Sequence, residues 1–322
     1  MSALKTYLKP ITAVMEGTGV TEVMINKPGE MIVEDSCEKR FIETDMDAKW
    51  LKRFAGLVAE EVGQKINEET PLLSANLPGG ERIQIVMPPA VERGQFGVSI
   101  RKPIPVLRTL SDYRKEGAFD AKWREPKDHS SSLLELLETN QIEAFMEMAI
   151  KTRLNIIIAG GTGSGKTTFC NTLIKKIPMN ERIITIEDVR EIRLDHPDRL
   201  HLLYSTGNQG ISNVTPQSLL QGCLRLNPTR LFVSEIRGAE AFEFLQVGNS
   251  GHPGTITTLH ANSAAQALDR LVLMVQLSGV RLDEPEIRGF LDEHVDAVIH
   301  FALDEETKTR NITGIYYQGK VY

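Results

Sequence analysis

The chain has 322 residues, 41% of them hydrophobic and 25% charged, with a formal net charge of −6. This composition is ordinary for a soluble globular protein, and the length exceeds what a single core usually fills, so two domains are expected. The acidic balance disfavours nucleic acid as the main partner, because gripping duplex phosphates takes a basic surface.

Leu4, Tyr7, Leu8, Ile11, Val14 and Met15 recur at helical spacing, and Pro10 is expected to kink or restart that helix. "TEVMIN" and "EMIVE" are strand-like runs on either side of Lys27 to Glu30, where Pro28 and Gly29 suit the tight turn of a hairpin. Asp47 to Val62 reads as a helix with Leu51, Phe54, Leu57 and Val58 on one face. "ERIQIVMPP" and "GQFGVSIRKP" give two more strands. From Pro103 to Ser132 the texture turns polar, and "KEGAFDAKWREPKDHSSS" reads as linker. "SLLELLETNQIEAFMEMAIKTR" is helical. Beyond it, apolar strand-like runs alternate with helices, the pattern of a parallel sheet covered by helices. The expected organisation is α/β: an N-terminal α+β domain over 1–103, a linker over 104–132, and a P-loop ATPase domain over 133–322 with a mainly parallel sheet. Cys37, Cys170 and Cys223 form no CxxC pair and read as buried, inert thiols of a reducing compartment. No window approaches about 18 consecutive apolar residues, so no membrane span is expected.

The run Gly160 to Thr167, "GGTGSGKT", satisfies G-x-x-x-x-G-K-[ST] in full. It follows a buried-strand run, Asn155 to Ala159, and opens a helix at Lys166. Glycines at Gly161, Gly163 and Gly165, with Thr162, Ser164 and Thr168 among them, let backbone N–H groups curl around phosphate oxygens. Lys166 is placed to reach the β- and γ-phosphates of ATP, and the Thr167 hydroxyl to ligate Mg²⁺. Two apolar strands end in acid: "RIITIED" in Glu187 and Asp188, "RLFVSEIRG" in Glu235. Strand carboxyl ends line the ligand crevice of an open parallel sheet, where a phosphate loop also sits. "GHPGTITTLHAN" adds a strand over 255–259 ending in His260, with Ser263 and Gln266 spaced as a capping box for the next helix. Arg190, Arg193, Arg225 and Arg237 lie near these strand ends, and Arg82 and Arg101 lie in the first domain. Spacing alone does not choose among them. His196, His201, His252 and His294 read as structural.

Together these runs resemble the secretion ATPase superfamily, also called traffic ATPases. "GGTGSGKTT" is similar to its Walker A box and "TIEDVREI" to its Asp box. "LRLNPTRLFVSEIRG" is similar to its modified Walker B box and "GHPGTITTLHAN" to its His box. The likeness is strongest to the hexameric ATPase of type IV secretion systems. "TEVMINKPGEMIVE" and "LSANLPGGERIQIVMPP" resemble its N-terminal domain, there is no four-cysteine zinc insertion, and the run past His260 leaves little room for an appended domain. The resemblance implies a RecA-like ATPase domain that hydrolyses ATP with Mg²⁺. It makes Glu187 the water-activating base with Asp188 beside it, and Glu235 the Walker B carboxylate that shares the metal with Thr167. His260 becomes a γ-phosphate sensor, and Arg82 and Arg101 reach phosphates across the domain cleft. The implied assembly is a homo-hexamer, peripheral at the cytoplasmic face of the inner membrane. Its implied partners are inner-membrane components, the channel's other ATPases, and exported protein or pilin substrates. A pilus assembly or retraction ATPase and a type II secretion ATPase are the alternatives in the same class. A nucleic-acid translocase is the alternative in another, disfavoured by the net charge and by the lack of an aromatic-plus-basic stripe.

Overall fold

The computed structural model describes residues 2–35, 38–103, 109–115, 117–119, 129–207, 210–249 and 251–322, so Cys37 and part of the expected linker lie outside the described residues. The chain opens with α1 (Ala3–Met15) and the strands β1 (Val20–Ile25), β2 (Glu30–Asp35) and β3 (Lys39–Glu43). Next come α2 (Ala48–Glu61), β4 (Leu72–Asn76), β5 (Arg82–Val86) and β6 (Gly97–Arg101). The six strands form an antiparallel sheet in the order β3-β2-β1-β6-β5-β4. The expected hairpin is present as β1–β2. Pro10 does not break α1, which runs through it. Losing one helical hydrogen bond to proline costs about 3 kcal/mol. Burying Leu4, Ile11 and Met15 against the sheet returns about 1.5–3 kcal/mol for each side chain, and burial wins. Asp47 caps α2 by accepting from Trp50 N at 2.7 Å.

The short α3 (Leu110–Lys115) falls within the expected linker. The helical run after it is two helices, α4 (Ser130–Glu138) and α5 (Ile142–Lys151), broken where Asn140 turns left-handed at φ 57, a conformation Asn tolerates. Then follow β7 (Ile156–Gly160), α6 (Lys166–Ile174), β8 (Ile183–Glu187), β9 (Arg199–Leu203), α7 (Pro216–Cys223), a 3₁₀ turn (Leu224–Leu226) and β10 (Arg230–Val233). The chain finishes with α8 (Ala241–Asn249), β11 (Ile256–Leu259), α9 (Ala264–Leu277), α10 (Glu284–His294), β12 (Ala297–Leu303), β13 (Arg310–Tyr317) and β14 (Lys320–Val321). The second sheet has the order β14-β13-β12-β7-β11-β10-β8-β9. It is parallel from β12 to β9 and antiparallel only at β13 and β14. Its strands are apolar on both faces: Ile156 and Ile158 enter the core under α4, α5 and α6, while Ile157 and Ala159 enter the core under α7, α8, α9 and α10. Cys170 and Cys223 are buried, and burial pushes the Cys170 thiol up to about 12. No helix among the described residues is long and apolar enough to cross a membrane.

The first sheet is fastened to the amino ends of β8, β9 and β10. Arg182, just before β8, has 0% exposure. It pairs with Asp198, just before β9, and donates from Nη1 to Asn26 Oδ1 at 3.0 Å and from Nε to Leu226 O at 2.8 Å. Asp198 also accepts from Asn26 Nδ2 at 3.0 Å and Lys39 Nζ at 2.9 Å. Asn26 and Lys39 come from the first sheet. The loop after β5 covers the end of β9's open edge, where Leu203 N donates to Ala90 O at 2.8 Å and Val91 bridges Leu202, which shortens the edge open to another strand.

Removing one member of a buried ion pair strands the other, at a cost of about 3–5 kcal/mol. Asp198→Ala is expected to lose about that much unfolding free energy in a denaturant titration. Arg182→Leu combined with Asp198→Leu should cost less than the two single changes added, and additive costs in the double-mutant cycle would refute the coupling.

Candidate nucleotide site

β7 delivers the phosphate loop to the carboxyl edge of the second sheet. A Cβ on Gly160 would lie 2.3 Å from Phe301 O, so only glycine fits there, while one on Gly161 or Gly163 would meet nothing within 4 Å. Gly163 and Gly165 are left-handed at φ 75 and φ 95. Gly165 is the N-cap of α6, whose first amides carry the helix's positive end. Lys166 is buried and folds back, Nζ donating to Gly160 O at 2.9 Å and Gly161 O at 2.8 Å. Burial pushes its ammonium below the usual lysine range, and the nearby carboxylates of Glu235 and Glu191 oppose that shift. Ser164 Oγ is buried with no hydrogen-bond partner among the described residues. Open space over the glycines and this orphaned hydroxyl fit a bound phosphate. Thr167 is half-buried and Thr168 exposed, both in the first turn of the same helix.

Beside the loop, β10 and β11 bring Glu235 and His260 together: His260 Nε2 lies 3.1 Å from Glu235 Oε1. Burial and the charge of Lys166 hold His260 below the ordinary imidazole range, against the pull of Glu235. At neutral pH the ring is therefore largely uncharged and lies in polar contact with the carboxylate. Arg237, a weak candidate from the sequence, bridges the strand ends. Its Nη2 donates to Glu235 at 2.8 Å and its Nη1 to Asp188 at 2.6 Å. The expected capping box after His260 is half present, with Ser263 Oγ accepting from Gln266 N at 3.1 Å.

Glu187 behaves differently from the water-activating base expected of it. It has 0% exposure. Oε1 accepts from Thr185 Oγ1 at 2.6 Å and Arg190 Nη1 at 2.9 Å, and Oε2 from Glu191 N and Ile192 N, both at 2.8 Å. A carboxylate has about four lone-pair sites, so none is left for a water. Burial alone would raise its pKa, but the bonds from His201, Thr185 and the Ile192 and Glu191 amides outweigh burial and hold it below the usual range. His201, read as structural, is thus part of this support. Glu187 fastens the loop after β8, and that loop presents Glu191. Glu191 is exposed, acts on the charge of Lys166, and makes no side-chain hydrogen bond among the described residues. It stands in the same "TIEDVREI" run, four residues past Glu187, and only the burial of the first carboxylate separates the two.

Arg82 and Arg101 are directly opposite one another on β5 and β6. They line a cavity of about 640 Å³ with Arg225, Asn227 and His252, and Arg225 Nη1 donates to Ser74 Oγ at 2.9 Å. Those partners precede β10 and β11, so the arginine pair sits at the amino edge of the second sheet. The chain's own phosphate loop is at the carboxyl edge, one strand length away, about 13–17 Å at the usual rise per residue. The expected cleft between these arginines and the loop is therefore not formed within one chain. Two further residues that the structure singles out had no sequence signal. Arg182 looks like any charged residue before a strand, and Arg310 lies far along the chain yet rests against Gly165.

A nucleoside polyphosphate has the run of anionic oxygens that this carboxyl edge receives, and the second domain is a RecA-like P-loop ATPase domain. The chain belongs to the Type II/IV secretion system protein family, whose model matches residues 6–303. It is 40% identical over 323 residues to the type IV secretion system protein VirB11 of Brucella suis biovar 1, covering 97% of this chain and 89% of that one. It is 41% identical over 290 residues to the type IV secretion system protein PtlH of Bordetella pertussis, covering 87% of this chain and 84% of that one. The crystal structure of the VirB11 ATPase from the Brucella suis type IV secretion system, in complex with sulphate, superposes with a TM-score of 0.91 at 38% identity, over 98% of this chain and 94% of that chain.

The depressed pKa of Glu187 gives a stability prediction with a definite sign. Its contribution is complete above the ordinary value of 4.5 and is lost as pH falls below that, through the folded-state value. Glu187→Gln should therefore cost about 2–3 kcal/mol at neutral pH, and the gap to wild type should narrow in denaturation midpoints taken below pH 4.5. A gap independent of pH would mean that the carboxylate's charge is not what holds the loop.

Proposed function

We propose that this chain is the ATP-hydrolysing motor of a type IV secretion system. In this reading it works as a homo-hexamer at the cytoplasmic face of the inner membrane and drives protein export and pilus biogenesis. The observation that carries the reading is the division of the site between two edges of one sheet. Arginines held a strand's length from their own phosphate loop serve a neighbour's nucleotide, and identical chains joined head to tail in this way close into a ring. Likeness to type IV secretion proteins along nearly the whole chain supports the secretion branch. The partners that go with it are inner-membrane components, the channel's other ATPases, and exported proteins or pilins.

In the proposed mechanism, the amides of Gly161, Thr162, Gly163, Ser164, Gly165 and Thr167 wrap the phosphates. Lys166 leaves its carbonyl partners for the β- and γ-oxygens. The Thr167 hydroxyl and the Glu235 carboxylate would hold Mg²⁺, which would supply positive charge to the phosphates. Glu191 orients the attacking water and takes its proton, and Glu187 positions Glu191 through the two amides it holds. His260 donates to Glu235 or to the γ-phosphate, so its choice of partner reports which nucleotide is bound. Arg82 and Arg101 of the adjacent chain stabilise charge developing on the transferring oxygens.

Mixing two inactive variants tests the ring. Lys166→Ala and Arg101→Ala should each lower ATP turnover by about a hundredfold or more. An equimolar mixture should recover a measurable fraction of wild-type turnover, because some junctions pair an intact loop with an intact arginine. A mixture as inactive as its parts would place the arginine in its own chain's site and sink the reading. Glu191→Gln should cut kcat by about 10²–10⁴-fold while ADP binding, followed by titration calorimetry, stays within a few-fold of wild type. Retained turnover would remove Glu191 from the reaction.

A further inference from the structure

The hairpin of β12 and β13 is fixed to both flanks of the phosphate loop. β12 runs parallel to β7 with Phe301 opposite Gly160, and the Phe301 ring packs on Phe169 of α6 with centroids 4.4 Å apart. The turn beyond is closed by Asp304, which accepts from Glu306 N at 2.9 Å and Thr307 N at 2.8 Å, and whose own amide donates to Thr309 O at 2.8 Å. β13 then begins at Arg310, opposite Leu303. The result is a close approach: a Cβ on Gly165 would lie 2.6 Å from Arg310 Cδ and 3.0 Å from its Nε. Glycine at 165 suits its left-handed backbone and leaves room for the arginine that lies across it.

Arg310 is exposed and makes no ion pair or side-chain hydrogen bond among the described residues. An arginine held along the loop that binds phosphate, with its guanidinium fork uncommitted, is suited to anionic oxygens. Strand order decides which ones. Glu235 and His260 follow β10 and β11 on one side of β7, and Arg310 comes from β13 on the other side, beyond β12. The γ-phosphate machinery and Arg310 therefore approach the loop from opposite flanks. We infer that Arg310 binds the nucleoside-diphosphate part of the nucleotide held by its own chain's loop, and so contributes equally to holding ATP and ADP. This rests on the proposal that the loop binds ATP.

Fluorescent N-methylanthraniloyl-ADP titrated into wild type, Arg310→Ala and Arg310→Lys tests the inference, together with KM and kcat for ATP. Arg310→Ala should weaken ADP binding and raise KM by similar factors, roughly ten- to a hundredfold, without lowering kcat, and Arg310→Lys should fall between. Wild-type ADP affinity in Arg310→Ala would overturn the inference. So would a lowered kcat with ADP affinity intact, because that would put the guanidinium at the γ-phosphate. If wild type itself binds neither nucleotide, the ATPase reading fails first, and that result is distinguishable from the other two.

Discussion

The buried pair of Arg182 and Asp198 fixes where every other functional group can be. A guanidinium with no exposed surface is tolerated only when its charge is matched, since an unpaired buried charge costs several kcal/mol. Arg182 Nε and Nη1 are bonded, and Nη2 has no hydrogen-bond partner among the described residues. The partners of Arg182 come from three places: Asn26 at the end of β1, Asp198 before β9, and the carbonyl of Leu226 before β10. Of these only Asn26 comes from the first sheet, and its bond to Arg182, with that of Lys39 to Asp198, forms when that sheet sits on the amino edge of the second. Asp198 shows the same dependence from the acidic side. Burial would raise its pKa, yet Arg182 and Lys39 together hold it below the usual carboxylate range. A polar lock of this kind specifies orientation as apolar packing alone does not, and the orientation it selects turns Arg82 and Arg101 away from the chain's own phosphate loop.

The carboxyl edge follows the opposite logic. Its charges are matched to one another while leaving room for a ligand. Lys166, Arg237 and Arg270 stand against Asp188, Glu191 and Glu235, and His260 adds little charge at neutral pH, so the charges of this cluster balance. A polyphosphate entering it brings several more negative charges into a partly buried site, where Coulomb repulsion is weakly screened. Further cations are needed, and the proposed ones come from three directions: the metal, Arg310 across the loop, and the arginine pair of an adjacent chain. Binding energy is thereby tied to assembly, because one of those sources belongs to another molecule.

Local pattern carried much of this into the sequence. The phosphate loop, the alternation of strands with helices, and the acids and histidine closing β8, β10 and β11 are consequences of short-range constraints: glycine backbone freedom, strand periodicity, strand ends as crevices. What escaped was decided by tertiary contact. Glu187 and Glu191 are both acids of one run, and only the packing of Thr185, His201 and two amides around the first makes the second the one that faces solvent. Pro10 looked like a helix break because propensity is local, whereas the burial that overrides it comes from β-strands elsewhere in the chain. β13 and β14 turn antiparallel at the end of a sheet whose earlier strands give no warning of it. Arg310 sits 144 positions after Lys166, and no spacing rule links an arginine after a polar turn to a glycine loop.

On the proposed assembly, magnitudes decide where motion occurs. Two arginines engaging phosphate through charge-assisted hydrogen bonds contribute about 1.5–3 kcal/mol each. Taken together they approach the roughly 5.5 kcal/mol that moves a two-state equilibrium from about 1:99 to 99:1. Opening the amino edge instead would break the bonds of Asn26 to Arg182 and Asp198 and of Lys39 to Asp198, hydrogen bonds to charged groups at about 1.5–3 kcal/mol each. It would also uncover Val86, Ala90 and Val91, which belong to the ATPase domain's own core, at about 1.5–3 kcal/mol for each larger side chain. That total exceeds what the nucleotide supplies. On that proposal the weaker contact is the junction with the next chain, and the nucleotide-dependent motion expected between first domain and ATPase domain falls between those domains of adjacent chains.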